Sequence, residues 1–447
     1  MTVIGLDIGT TSVCATAVDS ETGKVLNAKT LNNDCSVAGE SYERCQSPEK
    51  ILSLCSSLLD EFMTKFAPIL AIGLTGQMHG IVYLNKNGVP VSPLYTWQDM
   101  SGDEPYDESQ SYAQKLESMT GYKAASGFGL TTLFVHTCKA AVPADAACVC
   151  TIHDYVAMVL SGLTRPVMHT SDAASFGVFN PETMDFDREA VVKAGMDDAL
   201  LPDVSAKAVV LGQYKSIPVC VAIGDNQASF IGSVSDTDKA LLLNVGTGSQ
   251  VSFKTVNTDE VKGTELRPCH ESSFIRVGSA LCGGRAFAAL EQFIRAAVNL
   301  NGDDISSAYP IIDRYLEQNT APENRLAVNT AFIGTRDDPT LRGFIRNLGL
   351  DNFTPGHLIY GVLYGITEEL YEMYQPCRES GHNYVVGSGN GLRKNLALQK
   401  IISEVFGMPL RIPAHKEEAA YGAVLYAMTA VGLFPSLADA QKLIQYE

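Results

Sequence analysis

The apolar and polar positions open the chain with a hairpin. Val3-Ile4-Gly5-Leu6 reads as a buried strand and Val13 to Val18 as its return, with Asp7 at the lip and Gly9-Thr10-Thr11-Ser12 at the tip. The pattern then becomes helical. After Ser47-Pro48, a cap residue with Pro at the first helical position, Ile51, Leu52, Cys55, Leu58, Leu59, Phe62 and Phe66 recur at helical spacing. Pro68 ends that helix, and residues 69–74 read as a short buried strand delivering Thr75-Gly76-Gln77-Met78-His79-Gly80 at its carboxyl end. Residues 81–84 form another strand, turned at 85–88. Strands alternating with helices predict an α/β fold, in which ligands gather beyond the carboxyl ends of the strands.

Further along, Gly127-Phe128-Gly129 precedes a helical stretch, and residues 180–215, rich in Asp, Pro and Gly, read as a thin connecting region. Residues 219–223 are a buried strand, and long helices are expected at 357–374 and 392–406. The domain boundary is expected near Ser216-Ile217-Pro218, giving domains 1–217 and 218–447. One long-range repeat supports two halves. Leu241 to Phe253 has the build of the opening hairpin, with Asn244 against Asp7, Gly246 against Gly9, Thr247 against Thr10 and Ser249 against Ser12. The carboxylate of the first copy is an amide in the second.

At 447 residues the chain exceeds what one core usually supports, and 46% hydrophobic with 19% charged residues describes a globular protein with ample interior. The formal charge of −17 argues against bulk nucleic acid or an anionic membrane as partner. It does not exclude a nucleotide, because backbone amides and a metal handle phosphate without net positive charge. No leader and no membrane span is expected, since no apolar run approaches about 20 residues. The eleven cysteines are scattered, and Cys148-x-Cys150 without a second cluster is a poor zinc site. Free buried thiols in a reducing cytosol are expected, hence a cytoplasmic protein, as a monomer or homodimer.

Two tips of Gly and hydroxyl residues suit a triphosphate. Gly9, Thr10 and Thr11 on one side and Gly246, Thr247 and Gly248 on the other would offer amides and hydroxyls, with Mg²⁺ held through Asp7. No G-x-x-x-x-G-K-[ST] occurs, so this is not a P-loop. Gly224-Asp225-Asn226-Gln227-Ala228 follows the strand at 219–223, and its carboxylate either caps the next helix or orients an acceptor hydroxyl and takes its proton. Gly387-Ser388-Gly389-Asn390-Gly391 either lets a planar base lie against the backbone or simply turns a strand into a helix. Gly283-Gly284 carries the same two readings. Gln77, His79, Trp97, Gln98 and Asp99 combine hydrogen-bonding groups with the only Trp, as a sugar site does. Each alone reads equally as a solvated loop residue.

These motifs, in this order, resemble the FGGY carbohydrate kinases. The resemblance rests on Asp7–Ser12, Gly76–Gly80, Gly224–Ala228, Asn244–Ser249 and Gly387–Gly391, and it covers nearly the whole chain. It implies two ribonuclease H-like domains of the sugar kinase, actin and heat-shock ATPase superfamily, with ATP and sugar in a cleft between them. By matching positions it implies Asp225 as catalytic base, Asp7 with Asp225 at Mg²⁺, and Gln77, Met78, His79, Trp97, Gln98, Asp99 and Asn226 at the sugar. It implies Thr247 and Gly248 at the phosphates, with Gly283, Gly284, Gly387, Gly389, Asn390 and Asn395 on the nucleotide side. Within the family, Gln77-Met78-His79-Gly80 is similar to kinases of xylulose and of sedoheptulose. Thr96–Asp99, Ser126–Gly129, Thr151–Tyr155 and Ser171–Gly177 look more like the sedoheptulose branch. The expected activity is therefore ATP-dependent phosphorylation of a ketose. Ser388 departs from the second Gly that many relatives carry in the adenosine turn. A chaperone-like binding protein with the same cleft is the rival, and Gly76–Gly80 with Asp225 weigh against it as a small-molecule constellation.

Overall fold

Strand pairing in the computed structural model, which describes residues 1–300, 302, 304–336 and 338–447, builds the first sheet outward from the opening hairpin. Thr2–Ile8 pairs antiparallel with Ser12–Asp19 and parallel with Ile69–Gly76. The seven-stranded order runs Val210–Tyr214, Ile217–Cys220, Ile69–Gly76, Thr2–Ile8, Ser12–Asp19, Val25–Asn32, with Ile223–Gly224 also paired to Ile69–Gly76. Side chains alternate faces along Thr2–Ile8. Ile4, Leu6 and Ile8 share a core with Ile51, Cys55, Leu58, Leu59 and Phe62 of the Pro48–Phe66 helix, and Ser47 caps that helix as its sequence predicts. Gly5 belongs to the other face. A Cβ on Gly5 would stand 2.0 Å from the Ala420 carbonyl oxygen, and one on Gly73 2.0 Å from that of Ala423. Glycines at these positions let the Glu418–Ala430 helix lie directly on the sheet.

The chain divides into two compact units: Met1–Ser235 with Arg267–Phe274 and His415–Gln445, and Asp236–Leu266 with Ile275–Ala414 and Tyr446–Glu447. The boundary expected at 217/218 thus falls at 235/236. Residues 217–224 supply two strands parallel to Ile69–Gly76, and the Asp225–Ser233 helix packs on Glu418–Ala430. Both complete the first sheet rather than opening the second. Residues 180–215 are also more ordered in type than their composition predicts. They contain the Arg188–Lys193 helix and the Val210–Tyr214 strand.

The second unit repeats the first in topology. A six-stranded sheet has the order Thr264–His270, Ser273–Ala280, Ser249–Thr255, Ala240–Val245, Tyr384–Ser388, Leu410–Arg411. Ala240–Val245 pairs antiparallel with Ser249–Thr255 and parallel with Tyr384–Ser388, as Thr2–Ile8 does with its neighbours. The register refines the repeat. Ile8 pairs with Val13 across four tip residues, whereas Val245 pairs with Ser249 across three, so Ser12 and Ser249 are not equivalent. The helix expected at 392–406 is two, Asn390–Arg393 and Leu396–Phe406. The break comes where Asn395 leaves the helix to accept the Leu398 N–H as a cap. Among the described residues no helix is long and apolar enough to cross a membrane.

Candidate active site

In the first unit, the carboxyl end of Ile69–Gly76 is the organising point. Asp7 on one neighbouring strand and Ile223 on the other both pair with Thr75, while Ile8 and Gly224 both pair with Gly76. Asp7 and the chain entering Asp225 therefore flank one strand end, about 10 Å apart at the usual strand spacing. Gly224 caps the Asp225–Ser233 helix with no side-chain bond, and Asp225 lies in its first turn. Asp225 is thus not a cap residue. Its carboxylate sits where the helix dipole favours negative charge.

Charge crowds this point. Burial, and then the charges of Asp225 and Glu417, push the Asp7 carboxyl up to about 8. Its Oδ1 is shielded and makes no hydrogen bond. Burial also raises Asp225, opposed by the charge of His153, the Asn226 backbone N–H and Arg267. Asp7 thus carries a buried, unbonded carboxylate oxygen in a field of further negative charge, which a divalent cation would relieve. Glu417 was not a sequence candidate. It comes from the far end of the chain, and nothing local marks it.

A second buried group adjoins the strand end. One ligand atom from each of His153, Asp154 and Asp172 lies within 4.8 Å of the others. His153 Nε2 is 3.0 Å from Asp172 Oδ1, without hydrogen-bond alignment. His153 Nδ1 would touch a Cβ on Gly76 at 3.0 Å. Burial raises Asp154 to about 8, holds Asp172 well above the usual carboxylate range, and lowers His153. The resemblance covers the stretches that hold these residues but implies no role for them.

The sugar candidates separate into two layers. His79, at φ 73°, donates its backbone N–H to Ser175 Oγ at 3.1 Å. Its Nδ1 lies 2.7 Å from the Ser175 carbonyl, which makes Nδ1 a protonated nitrogen. The ring stacks on Phe128 at 4.7 Å and 4°. Trp97 is 48% exposed, and its indole N–H donates to Thr10 Oγ1 at 2.9 Å. Gly127, at φ +82°, lies against the Trp97 backbone, where a Cβ would be 2.1 Å from the carbonyl oxygen. Ser126–Gly129 therefore supports the His79 ring and the Trp97 backbone. Gln98 is exposed and lines a cavity of 330 Å³ with Thr10, Thr11, Arg44 and Gln46.

The remaining candidates face inward. Thr10 Oγ1 donates to Gln77 Oε1, Gln77 Nε2 donates to Gln46 Oε1, and Gln46 Nε2 donates to the Thr10 carbonyl, closing a ring. Gln77 is consumed by this brace, and the Thr10 hydroxyl is shared with Trp97 rather than held open for an anion. Asp99 is buried, with Oδ1 accepting the N–H and hydroxyl of Ser101. The Met78 thioether packs on Gly224, 2.7 Å from where a Cβ would be. Gln77, Met78 and Asp99 thus sit behind His79 and Trp97.

In the second unit the glycines converge on one hairpin tip. Gly284 and Arg285 donate their N–H groups to the carbonyls of Gly246 and Thr247 at 2.8 and 3.0 Å. Added Cβ atoms on Gly283, Gly389 and Gly391 would stand 2.4, 2.5 and 2.8 Å from the Gly248, Val245 and Val245 carbonyl oxygens. Thr247 is exposed, and Asn244 donates to Ser388 Oγ at 2.9 Å. Gly387 behaves differently, since its Cβ would meet Leu392 and Ile412 side chains, a packing requirement of the interior. Asn390 opens its short helix beside Gly389. Asn395 lines a cavity of 500 Å³ with Tyr360, Tyr364, Lys394, Lys400 and Glu404.

Comparisons with known proteins bear on the family and the fold. The profile described as FGGY family of carbohydrate kinases, N-terminal domain, matches residues 2–242, and that of the C-terminal domain matches 241–431. Sedoheptulokinase from Mus musculus is 27% identical over 94% of this chain and 96% of its own length, and the Homo sapiens protein gives the same figures. Xylulose kinase from Staphylococcus epidermidis is 23% identical over 97% of this chain and 89% of its own. In fold, xylulose kinase from Lactobacillus acidophilus superposes with a TM-score of 0.83 at 20% identity, covering 100% of this chain and 92% of that one. Glycerol kinase from Plasmodium falciparum, solved with ADP, gives 0.79 at 16%, covering 99% and 92%.

Proposed function

The chain belongs to the FGGY family of carbohydrate kinases, and from that premise we propose that it moves the γ-phosphoryl group of ATP to the terminal hydroxyl of a ketose, sedoheptulose before xylulose. The observation that carries the reaction is Asp225, raised by burial at the first turn of its helix beside Asp7. A carboxylate with a raised pKa is a better proton acceptor than a surface aspartate, and here it would orient the hydroxyl and take its proton late in the transfer. The ranking of sugars rests on the greater identity to sedoheptulokinases along almost the whole chain.

His79 Nε2 would accept from a sugar hydroxyl, and the half-exposed Trp97 would give the pocket an apolar wall, with Gln98 and Asn226 completing it. Gln77, Met78 and Asp99 would support these contacts from behind. Asp7, helped by Asp225 and Glu417, would hold Mg²⁺, which when bound supplies charge neutralisation at the phosphates. Gly9 and Thr11 of the first tip and Gly246, Thr247 and Gly248 of the second would offer backbone amides to phosphate oxygens. Gly283, Gly284 and Gly389 would shape that second tip, with Asn390 and Asn395 toward the adenosine.

The first experiment is a ketose panel comparing kcat/KM for sedoheptulose, xylulose and ribulose with ATP. A clear preference for xylulose would replace the sugar assigned here while leaving the reaction intact. For the base, Asp225→Asn is expected to bind ATP yet lose roughly 10² to 10⁴ in kcat. Near-normal turnover in that variant would sink the assignment.

A further inference from the structure

The short helix Thr170–Phe176 hydrogen-bonds the backbone on both sides of the proposed acceptor site. Its first contact is with Gly224, the residue before Asp225. Gly224 donates its buried N–H to Ser171 Oγ at 2.9 Å. The direction of that bond is set by the rest of the chain. Ser171 N–H donates to His169 Nδ1 at 3.2 Å, so Nδ1 is the ring's acceptor. Ser171 Oγ lies 2.8 Å from the same nitrogen, against 3.3 Å to Asp172 Oδ2. The hydroxyl carries one proton, which His169 Nδ1 or Asp172 Oδ2 accepts, and with either acceptor its oxygen is left to receive Gly224. His169 Nε2 carries the ring proton and meets Tyr426 Oη at 2.9 Å, which lies 3.4 Å from His270 Nδ1. His169, Ser171 and Tyr426 are all buried. Donors and acceptors alternate through four segments of the first unit, and such chains polarise cooperatively.

The second contact is one helical turn away. Ser175 Oγ accepts the His79 N–H and donates to the Asp172 carbonyl at 2.8 Å, and the Ser175 carbonyl lies 2.7 Å from His79 Nδ1. Residues four apart stand on one helix face. The helix thus braces His79, in its left-handed backbone conformation, and the entry to Asp225 from a common support.

We propose that this helix is an alignment element with two separable outputs: Ser171, oriented by His169, is a positioning residue for Asp225, and Ser175 is a positioning residue for His79. The inference rests on the reading of Asp225 as base and His79 as sugar contact. Removing the Ser171 hydroxyl leaves Gly224 N–H buried without its acceptor, and the residue that shifts to relieve it carries Asp225 with it. A sub-ångström to 1 Å displacement of a base costs up to about 10² in rate while binding persists. Removing the Ser175 hydroxyl loosens one of two bonds to His79, which weakens sugar binding in ground and transition states alike.

The test is steady-state kinetics with ATP and the ketose preferred in the panel, on Ser171→Ala, Ser175→Ala and Asp225→Asn. Ser171→Ala is expected to lose about 10- to 100-fold in kcat with the sugar KM within about threefold. Ser175→Ala is expected to raise the sugar KM about three- to tenfold with kcat nearly kept. His169→Asn, whose amide oxygen stands in for Nδ1, should retain most of the kcat that His169→Leu loses. If Ser171→Ala does not fold, Ser171→Cys, of similar size with a weaker acceptor, carries the test, with a smaller fall in kcat expected. Parallel changes of kcat and KM in both serine variants would mean general loosening and overturn the proposal, as would a Ser171→Ala that keeps its kcat. The base reading fails separately, through Asp225→Asn turning over normally.

Discussion

His136 shows at the scale of one residue what burial does to a titratable group. It is 7% exposed in the interior of the first unit, with Nδ1 2.8 Å from Tyr83 Oη and its ring against Tyr95. Burial, and then Lys139, push its pKa down to about 4. The unfolded chain takes up a proton near pH 6.5 that the folded chain refuses until about pH 4, so stability falls as pH drops through that interval. The window bounds the effect at about 3 kcal/mol for this one group. His136→Asn keeps an acceptor for the Tyr83 hydroxyl and removes the titration. It should melt slightly below wild type at pH 7, and the gap should close or reverse by pH 4.5. A gap that widens on acidification would contradict the assignment. The same scale shows what the sequence could not convey. Asp7, His79 and Asp225 are legible because each stands at the end of an apolar strand in a Gly-rich turn. Glu417, His153 and Asp172 come from three distant segments, and only the fold gives them a common neighbourhood. Gln77 and Asp99 have the chemistry of sugar ligands, and their bonds to Gln46 and Ser101, which leave Asp99 Oδ2 without a partner, are equally hidden from the sequence.

Among the elements, the pair Asp225–Ser233 and Glu418–Ala430 is the tightest contact supporting the site. A Cβ on Gly422 would lie 1.9 Å from the Ala228 carbonyl oxygen, and one on Gly232 2.1 Å from that of Glu418. The helices meet backbone to backbone, and the obstacles are carbonyls that cannot turn aside. Gly422→Ala gains about 1 kcal/mol of helix propensity but must force the helices apart, a cost of about 1–3 kcal/mol or more. A net loss of thermal stability is expected, accompanied by lower kcat because the displaced helix begins with Asp225. Gly162→Ala provides the contrast. Its φ is +72° with nothing within 4 Å, so backbone strain alone acts, and activity should survive. Equal effects of the two on kcat would show that the helix contact does not set the base. The regular strands and the Pro48–Phe66 helix were legible from period and caps. The sequence places 218–235 in the second half, because a strand's partner in the sheet is a matter of topology that its own residues do not encode. The helix break at Asn395 is a capping bond overriding an otherwise continuous apolar period.

For the molecule as a whole, the expectation of free thiols yields a measurement on all of the chain at once. Eleven cysteines occur, and none is disulfide-bonded. Cys138 is exposed, Cys377 is half-buried, and the other nine are buried. Burial pushes the Cys14 and Cys148 thiols up to about 11 and those of Cys45 and Cys220 up to about 12, so these four are protonated as well as inaccessible at pH 8. Exchange with DTNB requires a thiolate within reach of the reagent. In the native protein one equivalent should therefore react quickly and a second more slowly, with all eleven reacting once the chain is unfolded. Cys138→Ser should abolish the fast phase alone. Because no bridge restrains the unfolded chain, added reductant should leave the melting curve unchanged. Three or more fast equivalents in the native state would mean that a core opens on the timescale of labelling. In that case the first place to look is Cys220, on the strand that leads to Gly224 and Asp225.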